Sequence, residues 1–555
     1  MTFPSTIRPA VGQSLISKVS RLFNGTLADA VHEIFQNSRR AGATAIHVAV
    51  YNLPAGTAIS IYDNGRGIDD PASLLTLGDS GWQAEIQDRE DPAGMGVFSL
   101  AGRDVQVRSW SRAAGRGWAV HIPADGWEGD LTLDIASSGI VRGTEIQIML
   151  PPVWENHLKS ALANAAQFFP LPVHFEGAEL QRTDFLADAT RIEEWEGCRI
   201  GIYNNASNED PQMPRINFHG LTVPCRLPVV SEVDRLFKWR VRVDIVDAPA
   251  LQLVLPARKE MVENEALARL RVAAEAAIYR TIASQDSHRL PHQDWTRAGE
   301  LGVNLPEAAA MLHAWTPITA DNFGRPKGAE IRSEPMLLMP DQDADFEQGL
   351  AQAFRKNKPL DARPVRAEPA FAGYRWYEAL PRLLACSFLA ERDGVLYRYA
   401  QEITLPCDLA SGGLDALCVE IAIAPNADPS AEEEIYSLPV EMLACNNDSY
   451  SLDDSIILFD RHADVQPGNL ADLIFASLFC ASDDPDTDSW ETQSNDFESR
   501  AHHLANLLLL GEDEALLARL RQAIREHVQW LIPVGRSLTL TLDPKSVTLA
   551  LEETA

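Results

Sequence analysis

Residues 28–43 read ADAVHEIFQNSRRAGA, and residues 61–68 read IYDNGRGI. The first stretch continues an apolar stripe that begins near Ser14 and recurs every three or four residues up to Gly42. This spacing predicts an amphipathic helix. The second stretch ends an apolar run at closely spaced glycines, which predicts a strand leading into a tight turn. We therefore expect a helix packed on a sheet at the start of the chain.

Other short runs predict the rest of that sheet. The predicted strands are Ala45–Tyr51, Ala58–Tyr62, Asp104–Ser109, Gly117–Ile122, Asp130–Ile135 and Thr144–Leu150. Helices and strands alternate without a repeated unit, which favours a mixed sheet covered by helices on one face. The predicted fold class is α/β (α+β).

The helix at residues 28–43 carries a pair of side chains suited to a magnesium nucleotide. Glu33 and Asn37 are four residues apart, so both lie on one helix face. A carboxylate can orient and deprotonate an attacking water, and an amide oxygen can ligate a hard cation without adding charge. Taken alone, the same pair is typical of a solvated helix face.

The turn at residues 61–68 places a carboxylate at the end of a strand. Asp63 can accept a hydrogen bond from the exocyclic amine of adenine, and Gly65 and Gly67 let the backbone approach a flat base. Taken alone, this pattern also fits a tight Asn-Gly turn.

Two glycine-bearing segments and a Gly-Thr pair follow. Residues 77–81 read LGDSG, and residues 94–101 read GMGVFSLA. Glycines before a helical start can offer backbone N–H groups to phosphate, so we expect phosphate contacts from Ser80, Gly94, Met95 and Gly96. Thr144 enters the last predicted strand, where its hydroxyl can join a hydrogen-bonded network around Asp63 and the base.

These four elements, in this order, resemble the nucleotide motifs of the GHKL superfamily, which includes Hsp90 chaperones, MutL repair proteins and type II topoisomerases. The resemblance covers about residues 15–150 and implies an α/β sandwich that binds ATP and Mg²⁺. It implies that Glu33 activates water, Asn37 binds Mg²⁺ and Asp63 reads adenine. The segment between the second and third motifs corresponds to an ATP lid.

The chain departs from the superfamily pattern at several positions. Arg40 stands where many members carry an acidic residue. Trp82, Asp91 and Phe98 replace Lys, Gly and Lys that are frequent in lids of this type. These differences affect the expected phosphate contacts and lid closure, not the expected base and magnesium contacts.

Residues 253–264 read LVLPARKEMVEN and resemble the Hsp90 middle-domain stretch in which an Arg reaches the γ-phosphate. The resemblance implies this role for Arg258, with Lys259 as the alternative, because MutL-like members use Lys. An exposed basic pair is the competing interpretation.

Length and pattern predict four segments. They are a GHKL ATP-binding domain at 1–151, a transducer-like middle domain at 152–284, a loop-rich connector at 285–370 with one short helix near Pro306–Trp315, and an acidic mixed α/β domain at 371–555. Within the middle domain, Ile216–Val223 is predicted as one strand.

Charge and cysteine usage exclude several classes. The net charge is −31, and residues 428–500 hold 18 Asp or Glu against two Arg, which disfavours a broad nucleic-acid surface in the C-terminal half. The seven cysteines show no CxxC spacing, so neither a zinc module nor a disulfide framework is indicated. No apolar run is long enough to span a bilayer, and we expect a cytoplasmic protein.

The resulting hypothesis is an Hsp90-like ATPase that couples Mg-ATP binding and hydrolysis to lid closure, domain docking and dimerisation. Its expected partners are ATP or ADP, a second copy of the chain and a protein client. Two alternatives stay open: a DNA-processing ATPase of the MutL or MORC kind, and a nucleotide-sensing scaffold in a bacterial defence or stress system.

Overall fold

The computed structural model describes residues 26–54, 56–74, 96–128, 132–206, 215–254, 260–321, 327–406, 408–446 and 451–553. The chain divides into two compact units, Met1–Glu307 and Ala308–Ala555. Each unit combines helices with mixed or antiparallel sheets, so the predicted fold class is confirmed.

Helix α1 (Leu27–Arg40) opens the described part of the first unit. Thr26 caps it: the Thr26 hydroxyl accepts from the Asp29 N–H, and the Asp29 carboxylate accepts from the Thr26 N–H. Such a reciprocal cap begins a helix. The helix therefore starts at Leu27 and does not run unbroken from Ser14 as predicted; residues 14–25 lie outside the described residues.

Eight described strands form the first sheet, in the spatial order β5-β4-β3-β6-β2-β1-β7-β8. They are β1 (Ile46–Leu53), β2 (Gly56–Asp63), β3 (Val105–Ser111), β4 (Arg116–Ile122), β5 (Ile135–Ser138), β6 (Thr144–Met149), β7 (Val173–Phe175) and β8 (Ala178–Glu179). The β2–β6 register places Asp63 opposite Thr144. The strand predicted at Asp130–Ile135 is instead β5, which begins at Ile135.

Helices α1, α2 (Pro152–Glu155) and α3 (Leu158–Gln167) share one apolar core with this sheet. Phe35 of α1 is fully buried, and its ring centroid lies 5.3 Å from that of Phe169. The apolar face of α3 is buried against the sheet, and the same core continues along the chain to Val173. The packing therefore crosses the predicted domain boundary at 151.

Residues 191–300 form a second mixed sheet with two helices, which we call the middle layer. Its elements are β9 (Arg191–Trp195), β10 (Cys198–Ala206), β11 (Ile216–Phe218), β12 (Leu221–Val223), β13 (Val229–Ser231), β14 (Phe237–Ile245), α4 (Glu265–Ala283) and α5 (His292–Glu300). The single strand predicted at Ile216–Val223 is a hairpin, since the chain turns at His219 with a φ of 54°. The core extends past residue 284 to Val303.

The second unit holds its own sheets and helices. Its strands are β15 (Met311–His313), β16 (Glu330–Arg332), β17 (Met336–Met339), β18 (Arg363–Arg366), β19 (Arg382–Arg392), β20 (Val395–Ala400), β21 (Gly412–Leu414), β22 (Ala416–Ala424), β23 (Glu434–Pro439), β24 (Met442–Cys445), β25 (Ile456–Asp460), β26 (Arg536–Asp543) and β27 (Ser546–Glu553). Its helices are α6 (Ala344–Lys356), α7 (Arg375–Glu378), α8 (Pro467–Leu478), α9 (Trp490–Leu510) and α10 (Glu512–His527).

The segment predicted as a connector is more regular than expected. The short helix predicted near Pro306–Trp315 is absent from the described residues; strand β15 lies there and pairs with β16. Helix α6 also falls in this segment, and its Phe346 and Leu350 pack in a core with Phe388 of β19. None of the helices in the described ranges is long and apolar enough to cross a membrane.

The turn of the β11–β12 hairpin touches helix α1 directly. Gln36 is buried, and its side-chain amide donates to the His219 carbonyl oxygen at 2.6 Å. The Asn217 amide donates to the Phe168 carbonyl oxygen at 3.3 Å, and its oxygen accepts from the Gly220 N–H at 2.8 Å. A Cβ at Gly220 would lie 3.0 Å from the Phe169 Cα. The middle layer thus meets the helix that carries Glu33 and Asn37.

Replacing Gln36 with Ala removes the buried hydrogen bond to His219, and we expect a local cost of about 1 kcal/mol or more. Amide hydrogen exchange in full-length protein should become faster in both α1 and residues 216–223. Gln181→Ala, at an exposed position, is the matched control. Unchanged exchange in the hairpin would show that this bond does not hold the junction.

Candidate nucleotide site

Asp63 ends strand β2 and faces α1. Its side chain is 7% exposed. One carboxylate oxygen accepts from the Gly65 N–H at 2.8 Å, and the other accepts from the Ser38 hydroxyl at 3.2 Å. The carboxylate is therefore held between the strand end and the helix.

Burial raises the pKa of Asp63 to about 6, because a buried site disfavours the charged form. The hydrogen bonds from the Gly65 N–H, the Ser38 hydroxyl and the Thr144 N–H act in the opposite direction and lower it. A buried acid with few charged neighbours is typical of functional sites.

Thr144 begins strand β6 beside Asp63, as its predicted role requires. Its hydroxyl lies 2.8 Å from the Ser109 hydroxyl, and the Ser109 oxygen accepts from the Ile68 N–H at 2.9 Å. Ser109 is fully buried. This network links strands β3 and β6 to the loop after Asp63.

Ser38 and Ser109 were missed by sequence reasoning. Ser38 follows Asn37 directly, so its position on the helix was visible, but its contact with Asp63 depends on how α1 packs. Ser109 lies within a strand that alternates regularly, and nothing in the local pattern distinguishes it from a core residue.

Three glycines bring the backbone segments around Asp63 into close contact. A Cβ at Gly65 would lie 2.8 Å from the Ala41 Cβ, and one at Gly67 would lie 2.1 Å from the Trp110 carbonyl oxygen. A Cβ at Gly143 would lie 1.9 Å from the Asp63 carbonyl oxygen. Gly67 and Gly143 also have positive φ values of 78° and 73°. Glycine is therefore required in this loop for space as well as for conformation.

Glu33 and Asn37 lie on the same side of α1, and both are partly exposed. Arg40, one turn further along, connects them: its guanidinium donates to the Asn37 amide oxygen at 3.2 Å and lies 3.9 Å from the Glu33 carboxylate. The Arg40 side chain is buried. The departure from the superfamily pattern at this position thus places a cation beside both Glu33, the predicted catalytic residue, and Asn37, the predicted magnesium ligand.

The residues described around Asn37 fit a magnesium ion that is held mainly by a nucleotide. The described ranges contain no cluster of three or more His, Cys, Asp or Glu side chains able to bind a metal. Mg²⁺ in nucleotide sites commonly takes one or two protein oxygens and completes its shell with phosphates and water. Asn37 carries one such oxygen, which accepts from Arg40 in this structure.

Several predicted site residues lie outside the described residues: Ser80, Gly94 and Met95 of the lid side, and Arg258 and Lys259 of the middle layer. Gly96 begins a 3₁₀ helix, Gly96–Leu100. Phe98 in this helix is 2% exposed and packs in the first core, which explains an apolar residue where a lid lysine was expected.

Residues 25–113 match a protein-family model described as histidine kinase-, DNA gyrase B- and HSP90-like ATPase. The match includes α1, Asp63 and the glycine loop that follows it, and it implies ATP binding. No curated protein matches the chain. The domain that carries Glu33, Asn37 and Asp63 therefore belongs to the GHKL superfamily of ATPases.

Proposed function

We propose that the chain binds Mg-ATP and hydrolyses it to ADP and phosphate, with Glu33 as the residue that activates water. This proposal is supported by one observation: the residues proposed to bind the base, the magnesium ion and the water all lie on helix α1 or contact it. Glu33 and Asn37 share a face of α1, and Asp63 contacts Ser38 of the same helix. A base, a magnesium ion and a water would thus be positioned by one rigid element.

Asp63 selects adenine in this proposal. Its ionised carboxylate accepts from the exocyclic amine, while its bonds to Gly65 and Ser38 fix the direction of its oxygens. The Thr144–Ser109 pair supports the loop on the other side of the base. Asp63, Ser109 and Thr144 are all buried in the protein.

Asn37 and Glu33 act at the phosphate end. A bound Mg²⁺ would neutralise phosphate charge, and the Asn37 amide oxygen would hold it. Glu33 would orient the attacking water and accept its proton. Arg40 donates to the Asn37 amide oxygen and so fixes the orientation of this amide.

We further propose that nucleotide binding is coupled to the middle layer and to a protein partner, in the manner of Hsp90. The contact between Gln36 and His219 supports this coupling, because Gln36 lies between Glu33 and Asn37 on α1. Closure of a lid over the nucleotide, docking of Arg258 on the γ-phosphate and pairing of two copies through their ATP domains complete the proposed cycle.

Glu33→Gln should abolish ATP hydrolysis and leave ATP affinity within a few-fold of wild type. The amide keeps the size of the side chain but cannot accept a proton from water. Steady-state turnover and calorimetric ATP titration measure the two effects. Glu155→Gln, at an exposed position in α2, is the control and should behave as wild type. Normal turnover of the Glu33 variant would remove Glu33 from the mechanism.

Asp63→Asn should weaken binding of the base, because the amine loses its charged acceptor. Adenosine is the suitable probe, since it carries no phosphate. With the pKa of Asp63 raised to about 6, the carboxylate is ionised above that pH and neutral below it. Adenosine affinity of the wild type should therefore fall by up to about tenfold from pH 7.5 to pH 5.

The Asp63→Asn variant should show weak and nearly pH-independent adenosine binding over this interval. Asp125→Asn, at an exposed position, should keep the wild-type affinity and pH profile. Wild-type affinity in the Asp63 variant at pH 7.5 would rule Asp63 out of the adenine pocket.

Arg258→Ala should lower ATP turnover strongly and leave ADP affinity unchanged, since ADP lacks the γ-phosphate. Loss of an arginine finger can cost on the order of 10³-fold in turnover. Lys259→Ala is the internal comparison and should be milder. Substitutions of exposed residues generally have little effect. If both variants turn over ATP within about twofold of wild type, the middle layer has no transducer role, although the proposed ATP site is unaffected by this result.

A further inference from the structure

A pocket rich in arginine lies at the C-terminal end of α1. It has a volume of about 460 Å³, and its lining includes Arg40, Arg66, Trp110, Arg112 and Arg142. We call these five residues the arginine pocket. The whole protein has a net charge of −31, so these four guanidinium groups form a positive patch on an acidic protein.

The arginine pocket adjoins the proposed nucleotide site at one edge, because Arg40 contacts Asn37 and Glu33 and Gly65 also lines the pocket. Ala41, which also lines it, comes eight residues after Glu33, which corresponds to about 12 Å along a helix. Asp63 contacts the same helix between these points, at Ser38. The pocket therefore lies at the C-terminal end of α1, whereas Glu33 lies near the middle of this helix.

The loops that display these arginines are fixed by close backbone contacts. The Arg66 N–H donates to the Ala41 carbonyl oxygen at 2.9 Å, and the Trp110 N–H donates to the Gly143 carbonyl oxygen at 3.0 Å. The Arg142 guanidinium donates to the Asn64 carbonyl oxygen at 2.7 Å. A preorganised set of cations loses little conformational freedom when it binds a ligand.

Nearby acidic groups offset only part of this charge. Arg40 lies beside Glu33, and Asp69 interacts with Arg66. The Asp69 carboxylate also accepts hydrogen bonds from the Ala113 N–H at 2.9 Å and from the Ser111 hydroxyl at 3.2 Å. Within the described part of the chain, no carboxylate forms an ion pair with Arg112 or Arg142, and both side chains are exposed.

We propose that the arginine pocket is a second ligand site, which binds the phosphate groups of a nucleotide-containing ligand. Guanidinium groups match phosphate oxygens in a two-point geometry, and mutual repulsion among the arginines is relieved when an anion binds. Trp110 is partly exposed and offers an aromatic surface for a base, the combination typical of single-strand binding. The same chemistry fits a single-stranded nucleic acid or a free nucleotide. This proposal goes beyond ATP hydrolysis and does not depend on it.

The test compares two double variants of the full-length protein with equal charge change. Arg112→Glu with Arg142→Glu alters the arginine pocket, and Arg182→Glu with Arg226→Glu alters exposed arginines that do not line it. The probes are a fluorescein-labelled single-stranded oligonucleotide, followed by anisotropy, and GDP, followed by calorimetry. GDP is chosen because guanine lacks the amine that Asp63 is proposed to select. Circular dichroism verifies that both variants are folded.

If nucleic acid is the ligand, the pocket variant should lose at least tenfold in oligonucleotide affinity relative to the control. Its slope of log affinity against log salt should also fall by about 1.4, as expected for two lost phosphate contacts on a single strand. If a free nucleotide is the ligand, the same difference should appear with GDP and not with the oligonucleotide. Equal affinities of the two variants for both probes would overturn the proposal, whatever the ATPase activity.

Discussion

The organisation of the first unit depends on one buried carboxylate. Asp63 can stay at the end of β2 only because Gly65, Ser38 and Thr144 each supply a hydrogen-bond donor, which reduces the cost of burial. Those donors come from a loop, a helix and a neighbouring strand. A single acidic group therefore fixes the relative position of three elements, and the same group carries the proposed choice of base.

Helix α1 serves two layers at once. One face packs Phe35 in the core of the first sheet, while Gln36 bonds to the middle layer. Both attachments lie between Glu33 and Asn37, the residues of the proposed hydrolysis. Because a helix moves largely as a rigid body, a shift at the hairpin would reach the magnesium and water positions without an intervening flexible segment. Arg40 links the predicted catalytic residue Glu33 to the predicted magnesium ligand Asn37 within the same helix.

Residue patterns predicted the first sheet well and the rest less well, for physical reasons. Strands β1 and β2 are rich in apolar residues and flank a turn, so their positions matched closely. The hairpin at residues 216–223 was predicted as one strand because its turn uses His219 at positive φ, an uncommon choice that no pattern signals. Helix α6 and strand β15 were not predicted, because they lie in a proline-rich segment. They are stabilised by contacts with residues distant in sequence. The support of Asp63 by Ser38 and Ser109 likewise depends on packing between elements distant in sequence.

The contact at Gly220 has a consequence for how the protein can vary. The residue has a φ of 99°, and the backbone and ring of Phe169 occupy the space that any side chain would need. The two layers are thus as close at this point as a polypeptide permits. Even one methyl group would have to separate them or reshape the turn, and either change would move the His219 carbonyl away from Gln36. Substitutions at this position of the middle layer are therefore restricted by the close approach of Phe169, which packs in the core of the first sheet.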